Sequence, residues 1–147
     1  MRRAHRSRRA APALLLVVVA TLAVACGGGS SSSSSSGGDD GLPKVPAKDF
    51  VDETGKKAVT VEAVDNNFDP QYVTVSKGTT ITFTNAGRNP HNVVPVEQGA
   101  FSPIPTEKFA PGDSGTITLS SPGTYAYYCT LHGAATRGMA GRIVVER

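Results

Sequence analysis

The chain has 147 residues, with fifteen Lys and Arg, twelve Asp and Glu, two Cys, three His, two Met and no Trp. That length fits one folded domain with accessory segments. Five of the basic residues lie within Met1–Arg9, so the formal charge of +3 belongs to the extreme N-terminus; past residue 25, ten Lys and Arg face twelve Asp and Glu. No basic stripe and no basic–aromatic interleaving remains, which excludes nucleic-acid binding.

Leu14 to Ala25 is a twelve-residue apolar run behind the arginines. It is too short to span a bilayer, which takes about 20 residues, and residues 1–25 read as a secretory signal. Leu22-Ala23-Val24-Ala25-Cys26 resembles a bacterial lipobox, with Ala23 where Leu is favoured. Lipidation of Cys26 is the expectation, and an ordinary cut near Ala25 is the alternative. Lipidation would hold the protein on the extracytoplasmic face of the cell membrane by several acyl chains. Gly27 to Gly41 is Gly/Ser-rich with two aspartates and no apolar residue. It cannot bury enough surface to offset its ordering entropy and reads as a tether. Leu42 to Lys57, with Pro43 and Pro46, continues it as a semi-extended arm. Residues 27–57 are thus tether and arm, and residues 58–147 the compact domain.

The domain reads as all-β. Val59, Val61 and Ala63 alternate with Thr60 and Glu62, and Val73 and Val75 flank Thr74. Ile81 and Phe83 sit among Thr80, Thr82 and Thr84, and Ile117 and Leu119 among Thr116, Thr118 and Ser120. Tyr125, Tyr127 and Cys129 share one face of a further run, and Ile143 and Val145 flank Val144. Alternation with period two turns one face to a core and the other to water. Lys77-Gly78, Ala86-Gly87, Pro111-Gly112-Asp113 and Ser121-Pro122-Gly123 punctuate the runs as turns. Short strands at this spacing predict a β-sandwich or barrel.

Past the signal, the residues able to bind a soft metal are few: His91, His132, Cys129, Met139 and Cys26. Cys129, His132 and Met139 fall within eleven residues, and His91 lies 38 residues before Cys129. An exported protein ordinarily pairs its cysteines. With Cys26 lipidated, Cys129 has no partner. A buried inert thiol is one account of it; a metal ligand, with a histidine three residues on, is the better one. Two imidazoles, one thiolate and a weak thioether make up the blue-copper ligand set. Thiolate and thioether stabilise Cu(I), and imidazole serves both oxidation states. Zinc is the competing ion, although thioether suits it poorly. Placing Cys129 at a strand end and His132 just beyond it puts two ligands on one tight loop, which lowers the entropy cost of assembly. The alternative for Met139 is a core residue opening the last strand.

Tyr127-Tyr128-Cys129-Thr130-Leu131-His132 and Gly138-Met139-Ala140-Gly141-Arg142-Ile143-Val144-Val145 resemble the C-terminal signature of plastocyanin-like cupredoxins. Asn89-Pro90-His91-Asn92-Val93-Val94 resembles their first-ligand motif. Residues 65–70 and 75–85 resemble their early strands. The resemblance covers nearly all of residues 58–147. It implies a Greek-key β-sandwich with one copper, cycling between Cu(I) and Cu(II), near one end and held by His91, Cys129, His132 and Met139. It also implies that Asn92 ties the two ligand segments together and hydrogen-bonds near the Cys129 sulfur, a plain turn residue being the alternative. Plastocyanin has four residues between its second histidine and its methionine; this chain has six, Gly133 to Gly138.

The expected function is single-electron transfer outside the cytoplasmic membrane. The expected partners are redox proteins of a membrane electron-transport chain, reached by a monomer on a lipid anchor. The ring edge of His132 would face them, amid Gly133, Ala134, Ala135 and Pro90, with Arg88 and Arg137 at the rim. Copper storage or delivery would use the same ligands. Catalysis is not expected, because related copper enzymes need further copper sites and the chain has no spare histidines for them.

Overall fold

The computed structural model describes residues 41–147, and the predicted signal, Cys26 and most of the tether lie outside them. The strands are β1 (Val51–Asp52), β2 (Ala58–Val64), β3 (Asn67–Asp69), β4 (Tyr72–Ser76), β5 (Thr80–Asn85), β6 (Val94–Pro95), β7 (Ser114–Thr118), β8 (Gly123–Ala134) and β9 (Arg137–Glu146). Two single 3₁₀ turns, Ala47–Asp49 and Thr106–Lys108, are the helical elements among the described residues.

The strands form a Greek-key β-sandwich of two mixed sheets. One sheet has the order β1-β4-β9-β8-β6 and the other β3-β2-β5-β7. In the first sheet β4 is parallel to both β1 and β9, and β8 is antiparallel to both β9 and β6; in the second β2 is parallel to β5, and the outer pairs are antiparallel. The predicted alternation decides which side chains face inward. In β2, Val59, Val61 and Ala63 are buried and their neighbours exposed; β5 buries Ile81, Phe83 and Asn85; β9 buries Met139, Ile143 and Val145. Each large aliphatic side chain so buried contributes about 1.5–3 kcal/mol. Leu119 is also buried, one residue beyond the end of β7.

At the centre Phe68, Phe83 and Tyr127 pack edge to face, with ring centroids 5.0–6.0 Å apart. Such pairs add about 0.5–1.5 kcal/mol beyond the area they bury. Tyr127 lies two residues before Cys129 on the same strand face, so this cluster is the floor beneath the thiol.

Part of the predicted arm is built into the sandwich. β1 pairs in parallel with β4, Val51 opposite Val73, and Phe50 packs on Tyr72 with centroids 5.5 Å apart. The Glu53 amide donates to the Thr74 carbonyl at 2.8 Å, and the Thr79 hydroxyl to the Lys56 carbonyl at 2.8 Å.

The Tyr127 hydroxyl is fully buried with no hydrogen-bond partner among the described residues. Burial pushes its phenol far above the ordinary range. An unsatisfied buried hydroxyl costs stability, whereas the ring does not. Tyr127→Phe is therefore expected to raise the unfolding free energy by about 1 kcal/mol, read as a higher urea midpoint at unchanged slope. A loss of similar size would show that the hydroxyl is bonded.

Candidate metal centre

The sequence reading put Cys129 at a strand end and His132 just beyond it on a tight loop; instead both lie within β8. The ladder between β8 and β9 pairs Tyr128 with Ala140 and resumes with Gly133 opposite Gly138. Four residues, Cys129 to His132, thus face one residue of β9, Met139. The strand bulges outward there, as extra residues against one partner require. The six residues between His132 and Met139 do not form a slack loop either. Gly133↔Gly138 and Ala134↔Arg137 continue the ladder, so the chain turns over Ala135 and Thr136. All six residues thus lie in the two arms and the turn of the hairpin.

Glycine makes this crossing possible. A Cβ on Gly133 would stand 2.6 Å from the Met139 amide nitrogen. Gly138 has φ +70°, and a Cβ on it would stand 2.6 Å from the His132 carbonyl. Side chains are strained in that region of φ. Gly138 stood in the sequence motif without a role, and Gly133 was read only as part of the surface around His132. Their role is to let the two arms of the hairpin close around the bulge.

His91 reaches the same place from the segment between β5 and β6. Asn85, buried at the end of β5, holds that segment. Its side-chain amide donates to the carbonyls of Asn89 (2.8 Å) and Phe109 (2.9 Å), and its oxygen accepts from the Gly87 amide (3.0 Å). The His91 amide itself donates to the Phe109 carbonyl at 3.2 Å. Gly87 lies against the back of the ring: a Cβ there would meet the His91 Nε2 at 3.3 Å and the Asp65 amide at 2.8 Å. The sequence marked Gly87 only as a turn residue and Asn85 only as the end of a strand segment, because their roles beside His91 depend on contacts across the fold.

Three donor atoms converge. His91 Nδ1 and His132 Nδ1 are 3.1 Å apart, and the Cys129 sulfur is 3.8 Å from the first and 3.6 Å from the second. The centre of a triangle with those sides lies about 2.0 Å from each atom, against about 2.0–2.1 Å for imidazole and 2.3 Å for thiolate bonds to a first-row ion such as zinc. The donors therefore fit one bound ion without rearrangement. His91 and Cys129 are fully buried, and His132 is half-buried. Burial lowers the His91 pKa from its ordinary value, the neighbouring His132 lowers it further, and Asp65 opposes both. The neutral imidazole so favoured is the form that binds metal.

Asn92 ties the two ligand segments together. Its oxygen accepts from the Thr130 amide (2.8 Å), and its amide donates to the hydroxyls of Thr130 (2.7 Å) and Thr106 (3.2 Å). These bonds go to the residue after Cys129 and to the Thr106–Lys108 turn, and none is made to the sulfur. Met139, fully buried on β9, faces the bulge by register. Arg88 pairs with Asp65 at 3.5 Å, and Arg137 is exposed on the hairpin. Leu131, between the two hairpin ligands, is 52% exposed.

Removing a group that orients ligands typically costs about 10–100-fold in metal affinity. Asn92→Ala is expected to weaken copper binding by at least about tenfold and to broaden the thiolate absorption band, as read by chelator competition. Unchanged affinity would show that the ligand segments hold themselves.

Residues 55–146 match the family of copper binding proteins, plastocyanin/azurin family. The chain is 41% identical over 86 residues to the chloroplastic plastocyanin of Oryza sativa subsp. indica, covering 54% of each. It is 38% identical over 84 residues to the plastocyanin of Prochlorothrix hollandica, covering 54% of this chain and 63% of that one. The chain spans just over half the length of the first plastocyanins it matches. Among solved structures, a Cu(I) amicyanin variant superposes with TM-score 0.52 at 28% identity, over 61% of this chain and 83% of that one. A copper-containing nitrite reductase from Thermus scotoductus superposes with TM-score 0.53 at 26% identity, over 68% of this chain and 28% of that one. With a cupredoxin sandwich and a converged His91–Cys129–His132 group, the chain belongs to the plastocyanin/azurin family of copper-binding proteins, and copper is its cofactor.

Proposed function

We propose that this chain is a single-copper electron carrier working outside the cytoplasmic membrane, in which Met139 would add a fourth ligand to His91, Cys129 and His132. One observation carries the reading: two imidazoles and a thiolate already converge at bonding distance, buried except along the half-exposed ring of His132. Copper bound there supplies a one-electron change between Cu(I) and Cu(II). The chain's part is to keep the donors in one arrangement for both states. The bulge fixes Cys129 and His132, Asn85 and Asn92 fix the His91 segment, and the aromatic floor keeps water out.

His132 is the exit for the electron. Leu131 and Pro90, both exposed, adjoin His132 and His91 in the chain, and the small residues Gly133, Ala134 and Ala135 follow His132. This patch suits the brief, small interfaces of redox partners. We read those partners as proteins of a membrane electron-transport chain. A lipid on Cys26 and the Gly/Ser-rich tether would keep the domain within reach of them on the extracytoplasmic face. The chain is read as a carrier and not a catalyst, because its likeness to the nitrite reductase takes in 28% of that enzyme chain.

Electron self-exchange, measured by NMR line broadening in mixtures of Cu(I) and Cu(II) protein, tests the proposal. Exchange is expected to be fast, and Leu131→Glu, which sets like charges against each other in the encounter, to slow it by at least about tenfold. Slow exchange together with ready loss of Cu(I) to a chelator would contradict electron carriage and support copper delivery.

A further inference from the structure

We infer that the cavity beneath the β8–β9 hairpin tip is a binding pocket for a small oxygen anion, a carboxylate or a phosphate. The cavity has a volume of about 180 Å³. Arg137 and Arg142 line it together, and no Asp or Glu does. The ion pairs among the described residues are Lys48–Asp49, Lys56–Glu53 and Arg88–Asp65, so neither arginine is in one. Arg142 also borders a neighbouring groove with Glu146, without an ion pair between them.

Two arginines on the lining of one small concavity, with no acid beside them there, make its potential positive and favour an anion in it. The planar fork of arginine matches a carboxylate or a phosphate through two parallel hydrogen bonds.

The walls are held in place. The Gln71 amide donates to the Ala140 carbonyl at 2.9 Å, and the Arg142 amide donates to the Gln71 carbonyl at 3.0 Å. The arm lends Pro43 and Val45 to the lining of the cavity, and the hairpin lends Ala135 and Gly138. This gives the arm a role that its composition did not suggest. The pocket is separate from the copper ligands, although Gly138 and Ala140, which line it, flank Met139.

The test is an ¹⁵N NMR titration of the Cu(I)-loaded chain, repeated on the metal-free chain so that failure of the copper site would leave it standing. Inorganic phosphate and a capped tetraglutamate peptide are the probes, with sodium chloride at matched ionic strength as control. Saturable shifts are expected at Gln71, Arg137, Gly138 and Arg142. Affinity should fall roughly tenfold or more in Arg137→Gln/Arg142→Gln, and recover in part in the corresponding double Lys variant. Undisturbed shifts elsewhere would show that each variant is folded. Saturation by phosphate supports the pocket with a free ion as ligand, and saturation by the peptide alone supports it with an acidic protein side chain. Shifts no larger than those from chloride, or equal binding by the double Gln variant, would overturn the inference.

Discussion

The structure depends on a break in one β-ladder. Between Tyr128↔Ala140 and Gly133↔Gly138, four residues of β8 face Met139 alone. A regular ladder would send alternate residues to opposite faces and separate Cys129 from His132. The bulge releases both from that alternation and turns their donor atoms to one point, 3.6 Å apart. Pairing resumes beyond the bulge, so the ligands are held from both sides. Much of the entropy of assembling the site is thereby lost on folding, before any ion arrives.

The rest of the fold brings the third donor to that point and keeps it there. His91 sits on a segment with no regular structure, so its position rests on hydrogen bonds. Asn85 ties the start of the segment to Asn89 and Phe109, and Asn92 ties its end to Thr130 and Thr106. Both asparagines are buried, where leaving such groups unpaired costs about 1–3 kcal/mol each. The core of Phe68, Phe83 and Tyr127 supports the thiol from below. The two sheets thus serve as a rigid frame for three side chains drawn from two distant stretches of sequence.

The sequence made the strands with long alternation legible, because β2, β4, β5 and β9 each bury one face against the opposite sheet. It made the converging His91, Cys129 and His132 legible because Cys and His are scarce past residue 25, so their clustering stands out. β1 and β6 were not legible, and β3 was marked only by the resemblance of residues 65–70. At two or three residues each they exist through their partners, not through a pattern of their own. The hairpin extension was missed for a related reason. Gly133 to Gly138 has no apolar alternation, and its pairing follows from glycines that permit close backbone approach. Asn92 was read as a tie between ligand segments, and that tie is present. Its bonds end on threonines because the Thr130 amide faces its oxygen. Leu131 was the hardest to foresee. Hydrophobicity alone places it in a core, whereas the bulge turns it to solvent beside His132.

The account stands or falls on a thiolate–copper bond at this converged group. Titrating the chain with Cu(II) while recording visible absorption and electron paramagnetic resonance, with Cys129→Ser as control, tests it directly. The account predicts an intense charge-transfer band that saturates at one copper per chain and is absent from the variant. A colourless product, or a weak ligand-field band equal in both proteins, would show that Cys129 does not bind copper and would contradict it.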